Sequence, residues 1–95
     1  MTAISFDMRV VVPADVVTRR LDEELILLDL GSENYFGLDE VGTRMWEVLS
    51  SASSLRAAFD QLLSEYDVGA ETLRHDMEML VSQLLGHGLV ELQTV

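Results

Sequence analysis

The side chains here that could do chemistry are two histidines, His75 and His87, six arginines and seventeen carboxylates, with no cysteine anywhere. The lack of a thiol removes a cysteine nucleophile, a zinc-finger cage and an iron–sulfur site. His75 and His87 lie twelve positions apart, which on one helix is about 18 Å and a third of a turn out of phase. They cannot share a metal on that helix. No His-Glu-x-x-His spacing, no glycine-rich phosphate loop and no Gly-x-Ser-x-Gly elbow occurs. The carboxylates are numerous, but no spacing sets one as a raised-pKa acid beside an ionised base. They read as solvated faces, and Ser32 reads as a turn residue. The sequence therefore predicts no catalysis, no metal and no cofactor.

The elements that hold these residues must come from one domain, because 95 residues is well short of the length at which chains divide. With 48% hydrophobic side chains the chain can bury one modest core. No stretch approaches the ~20 apolar residues of a membrane span, and Met1 to Val12 lacks the layout of a signal peptide, so the expected location is the cytoplasm. The net charge of −11, with no lysine at all, makes nucleic acid and anionic membranes poor partners. That charge either keeps a small protein soluble or steers a basic partner to it.

The hydrophobic pattern changes once, near residue 38. Before it, β-branched and aromatic runs separated by Asp22-Glu23-Glu24 and Gly31-Ser32-Glu33-Asn34 predict an antiparallel meander over about 16–21, 24–30 and 34–38. Pro13 interrupts an earlier run, so Val10 to Val12 is either a short edge piece or part of an extended arm over about 1–15. After residue 38 the spacing is helical. One stripe runs from Leu38 to Leu49 with Asp39 as cap, and a second from Leu55 to Tyr66 opened by Ser53 or Ser54. A third, Leu73, Met77, Leu80 and Leu84, is stopped by Gly86-His87-Gly88. Leu89 to Leu92 can add a terminal strand. The fold class is α+β, a three-stranded antiparallel sheet followed by three helices, as in a winged helix-turn-helix. A transcription regulator is thus the alternative reading, yet the third helix carries Glu71, Asp76 and Glu78, which would face phosphates.

The segment Tyr35-Phe36-Gly37-Leu38-Asp39-Glu40-Val41-Gly42-Thr43-Arg44-Met45-Trp46-Glu47-Val48-Leu49 is the distinctive one. An aromatic strand, a Leu-Asp cap, a glycine one turn into the helix and an apolar-Trp-x-apolar-Leu finish resemble the PqqD-like peptide-recognition domains. Tyr66-Asp67-Val68, Asp76-Met77-x-x-Leu80-Val81-x-x-Leu84 and Gly88-Leu89-Val90-Glu91 agree in order, so the resemblance runs from about Val16 to Leu92. It departs where the family's usual Asn cap is Asp39, and where bulkier residues of the third helix are Met77 and Val81. Size and acidity are similar to the stand-alone recognition elements of lasso-peptide pathways, which handle ribosomally made, post-translationally modified peptides (RiPPs).

The resemblance implies a non-catalytic protein that binds the leader of a precursor peptide and hands it to a separate maturation enzyme, a leader peptidase. The leader is expected to add as a strand to the third strand of the meander, at Glu33, Asn34, Tyr35, Phe36 and Gly37. Its side chains are expected in the cleft with the third helix, lined by Arg74, Met77, Glu78, Val81 and Leu85. The helix's opposite flank, with Asp76 and Met79, is the alternative wall. Lasso-type leaders imply a Tyr-x-x-Pro motif as the apolar anchor. Trp46, Met45 and Met77 read from spacing as core residues, and Gly42 predicts close packing of the first helix against the sheet.

Overall fold

The computed structural model describes residues 4–94. The meander forms as expected: β2 (Val16–Leu21), β3 (Glu24–Asp29) and β4 (Tyr35–Leu38) make one antiparallel sheet in the order β2-β3-β4. Asp22, with φ 58°, supplies the left-handed residue of the two-residue turn between β2 and β3, a conformation Asp tolerates. Glu33 adopts φ 63° in the connection to β4. There Asp29 accepts from the Gly31 N–H and the Ser32 hydroxyl, which holds its carboxyl below the ordinary carboxylate range.

Three helices follow, α1 (Glu40–Ser51), α2 (Leu55–Glu65) and α3 (Ala70–Gly86). Asp39 caps α1 by accepting from the Gly42 N–H at 2.8 Å, and Ser54, not Ser53, caps α2 by accepting from the Ala57 N–H at 3.0 Å. A Cβ on Gly42 would stand 3.3 Å from Leu38 Cδ2 and 3.2 Å from Asp39 Oδ1, so the expected close approach of helix and sheet is real. Helix α3 ends in a Schellman motif. Gly88 takes φ 71°, its N–H reaches the Leu85 carbonyl, and the Leu89 N–H reaches that of Leu84.

The first run does not hang as an arm throughout. β1 (Met8–Val11) pairs antiparallel with β5 (Glu91–Thr94), Val10 opposite Leu92, in a second, two-stranded sheet. The part of the expected arm at residues 1–3 lies outside the described residues. Core side chains come from the inner face of the meander (Leu25, Leu27, Leu38) and from all three helices, with Trp46, Leu49, Leu62, Met77, Val81 and Leu84 buried. Trp46 and Met45 are core residues, as their spacing indicates. No helix among the described residues is long and apolar enough to cross a membrane.

Candidate peptide-binding edge

The receptive feature of the sheet follows from the phase of its hydrogen bonds. In an antiparallel ladder, alternate residues of an edge strand turn both backbone groups toward the neighbour and the others turn them outward. The Asp29 N–H donates to the Asn34 carbonyl at 2.8 Å, so Asn34, Phe36 and Leu38 face β3 in the register Leu27↔Phe36 and Leu25↔Leu38. Tyr35 and Gly37 therefore carry their N–H and C=O groups to the open edge. Both residues are exposed, Tyr35 at 72%.

The opposite edge is built differently. The Leu30 N–H donates to the Asp15 carbonyl, so the outward backbone groups of β2 belong to Thr18 and Arg20. This edge carries Arg19 and Arg20, and Arg20 is anchored to Glu47 of α1 at 2.6 Å. Charged residues are a common way to blunt a sheet edge. β4, with sequence Tyr-Phe-Gly-Leu, has no such guard.

Of the strand half of the expected site, Tyr35, Phe36 and Gly37 lie in β4, while Glu33 and Asn34 lie in the connection that precedes it, with the Glu33 N–H turned to the Asp29 carbonyl. The helix half is only partly brought to this edge. Met77 and Val81 are each 1% exposed; they share the stripe of Leu73, Leu80 and Leu84 and face inward, so they are core residues and not groove walls. Arg74 pairs with Glu78 at 3.1 Å and lays its guanidinium 4.8 Å over the ring of Phe6, which itself packs on Phe59 of α2. That flank of α3 is turned to the N-terminal segment and α2. Leu85 remains partly exposed at 36%.

The helix meets β4 through its C-terminal end. His87, the C-cap of α3, places its ring 5.2 Å from that of Phe36 at an interplanar angle of 56°. Its carbonyl accepts from the Asn34 side-chain amide at 3.5 Å. On a helix, positions 76, 80, 83 and 87 form one stripe, so the flank on the Asp76 side, the alternative wall, is the one whose end lies against the strand. No local signal in the sequence marks a contact between residues 36 and 87.

The densest cluster of charge is elsewhere. Arg44 holds Glu65 in a bidentate pair at 2.8 and 2.7 Å and also reaches Glu47. The arginine draws the Glu65 carboxyl down to about 2, and Glu65 in turn raises the Arg44 guanidinium. Together with Arg20, Glu23, Glu40, Thr43 and Tyr66 these residues line a hollow of about 400 Å³. The arginines and carboxylates engage one another, which ties β2, α1 and α2 together. Glu40 is raised by its hydrogen bond to Glu23 and by repulsion from it. Among the described residues no group of three or more His, Asp and Glu side chains gathers where it could hold a metal ion.

The comparisons with known proteins define the class. The model of the family described as coenzyme PQQ synthesis protein D (PqqD) matches residues 24–90, and the chain belongs to this family. The solved structure of TbiB1 in complex with the TbiA(beta) leader peptide is similar over 84% of this chain and 93% of that one, with 32% sequence identity and a TM-score of 0.77. Among curated proteins no match was found.

Proposed function

We propose that this protein is a RiPP recognition element of the lasso-peptide type, which holds the leader of a ribosomally made precursor peptide by adding it as a strand to β4. It then presents the peptide to a separate maturation enzyme, a leader peptidase, and itself does no chemistry. The observation that carries this reading is the bare edge of β4, where Tyr35 and Gly37 turn unclaimed backbone donors and acceptors outward while the other edge is guarded by arginines. The likeness to a protein solved with a leader peptide supports it. Side chains of the added strand that point inward would meet Phe36 and His87, with the Asp76 flank of α3 as the wall of the cleft. Synthesis and hand-over of a precursor fit a cytoplasmic setting.

Amide exchange tests the reading, with the TbiA(beta) leader peptide as probe. The Phe36 and Leu38 N–H groups are already bonded to β3, so protection on binding should rise in alternation, most at Tyr35 and Gly37. Protection confined to α1, or none along β4, would overturn strand addition.

A further inference from the structure

His87, whose ring and carbonyl join α3 to β4, stands between Gly86, the last residue of the helix, and Gly88. Glycine on both sides leaves its backbone free to turn. What fixes its direction lies beyond the Schellman motif: four residues on, Glu91 opens β5 and pairs with Val11 of β1, so the ribbon sets the path by which the chain leaves the helix. β1 is tied back to the meander by a tight turn in which the Val16 N–H donates to the Pro13 carbonyl at 3.0 Å. Ahead of β1 the chain also reaches the helices. The Phe6 carbonyl accepts from the Arg56 N–H at 3.0 Å, which satisfies a first-turn donor of α2. The Phe6 ring is buried against Phe59 of α2 and the Arg74 guanidinium of α3. Chain ends usually fray, yet this one binds α2, the strand that follows α3, and α3 itself on the flank opposite β4.

We propose that residues 5–11 form a strap that positions His87 against β4, so that leader affinity is governed from a segment the leader does not touch. The inference rests on strand addition to β4 and goes beyond it by assigning the control of that edge. A two-stranded ribbon is marginal by itself, and the contacts ahead of it are one carbonyl, one ring and one arginine whose side chain is 56% exposed. The strap therefore opens at less cost than the core around Leu62 and Leu84. Opening frees the chain after Gly88. His87 then loses its fixed direction, the Phe36 ring its stacked partner and the Asn34 amide its acceptor. The leader binds the closed form better, because there β4 is already held. Linkage makes the effect mutual: the bound leader closes the strap by the same factor by which the strap tightens the leader. Local opening equilibria couple distant sites in this way.

The test loosens the strap without touching β4. Phe6→Leu keeps an apolar side chain but removes the ring that Arg74 covers, and Arg74→Met removes the guanidinium at an exposed position while keeping the stem. The emission of Trp46 reports folding, and Arg74→Met decides the matter where Phe6→Leu does not fold. Each folded variant should bind the TbiA(beta) leader peptide about fivefold more weakly than the parent, a typical coupling between two sites. His87→Ala should weaken binding too, and adding Arg74→Met to it should cost little more, because both act through the same ring. In the parent the bound leader should slow amide exchange across β1 and β5, a response that a segment serving stability alone would not give. Unchanged affinity of folded Arg74→Met, losses that multiply with that of His87→Ala, or exchange across β1 and β5 indifferent to the peptide would each overturn the strap. If any of these is found while the leader protects Tyr35 and Gly37 of the parent, only the strap falls. If the leader leaves Tyr35 and Gly37 unprotected, strand addition falls and the strap with it.

Discussion

Replacing Val81 decides whether the middle of α3 is core or groove. Val81 is 1% exposed and shares the inward stripe with Met77 and Leu84. Val81→Ala removes the equivalent of two buried methylene groups, about 1.6 kcal/mol at ~0.8 kcal/mol each. Incomplete closure of the cavity adds to this, for a total of roughly 2 kcal/mol. A chain of 95 residues has a total stability of about 5–14 kcal/mol, so the alanine variant folds with a clearly lower midpoint. Val81→Asp adds the desolvation of a carboxylate to the same loss, several kcal/mol more, and should be largely unfolded or molten. Urea titration followed by the emission of Trp46, the single and buried tryptophan, measures the first variant directly. Leader affinity of its folded form should stay within about twofold of the parent. An unchanged urea midpoint together with weakened peptide binding would refute the packing argument and return Val81 to the groove.

Asp39→Ala should lower stability by about 1 kcal/mol in the same titration, since it leaves the first-turn N–H groups of α1 uncapped, whereas Asp39→Asn should keep most of the cap. Glu23→Gln should raise the melting temperature at pH 7 by removing the carboxylate that opposes Glu40. Because the folded chain raises the Glu40 pKa, acid relieves the repulsion in the parent, and the advantage of the variant should shrink as pH falls. Glu65 has the opposite sign: its folded value is lowered from 4.5 to about 2, so its ion pair contributes above the ordinary range and is lost as pH falls through that window. Glu65→Gln should therefore flatten the acid limb of a stability profile. The charge of −11 should make association with a basic peptide faster at low salt and with an acidic one slower, with little change in dissociation rate; an on-rate insensitive to salt in stopped flow would confine the charge to solubility.

The meander and the helices were legible because their boundaries rest on local chemistry. Asp22-Glu23 and Gly31-Ser32 make turns, Asp39 and Ser54 cap helices, and Gly88 ends one, each within a few residues of the element it punctuates. The β1–β5 pairing was not, since Val10 finds Leu92 from the far end of the chain and each strand alone is four residues long. The strand half of the candidate site could be read from a contiguous aromatic run. The helix half could not. An apolar stripe shows which face of α3 is buried but not which of its two flanks adjoins β4, and Val81 lies close enough to the stripe's centre to belong to the core. Only the distant contacts of Arg74 with Phe6 and of His87 with Phe36 separate the flanks.

The same contacts hold this short edge strand in place. β4 has four residues and a partner on one side only, and ordering a loose backbone on binding costs about 1–2 kcal/mol per residue. Here both ends are fixed beforehand. At the N-terminal end Asn34 bonds the His87 carbonyl and Phe36 packs on the His87 ring. At the C-terminal end the buried Thr43 hydroxyl donates to the Leu38 carbonyl, while Asp39 passes directly into the cap of α1 and Gly42 lets Leu38 approach the helix. The continuous segment from Tyr35 to Thr43 is thus one device, an edge strand whose last residue is clamped by the helix that follows it. The strand addition proposed above would then meet a strand already held in its extended form, which would leave more of the pairing energy to appear as affinity.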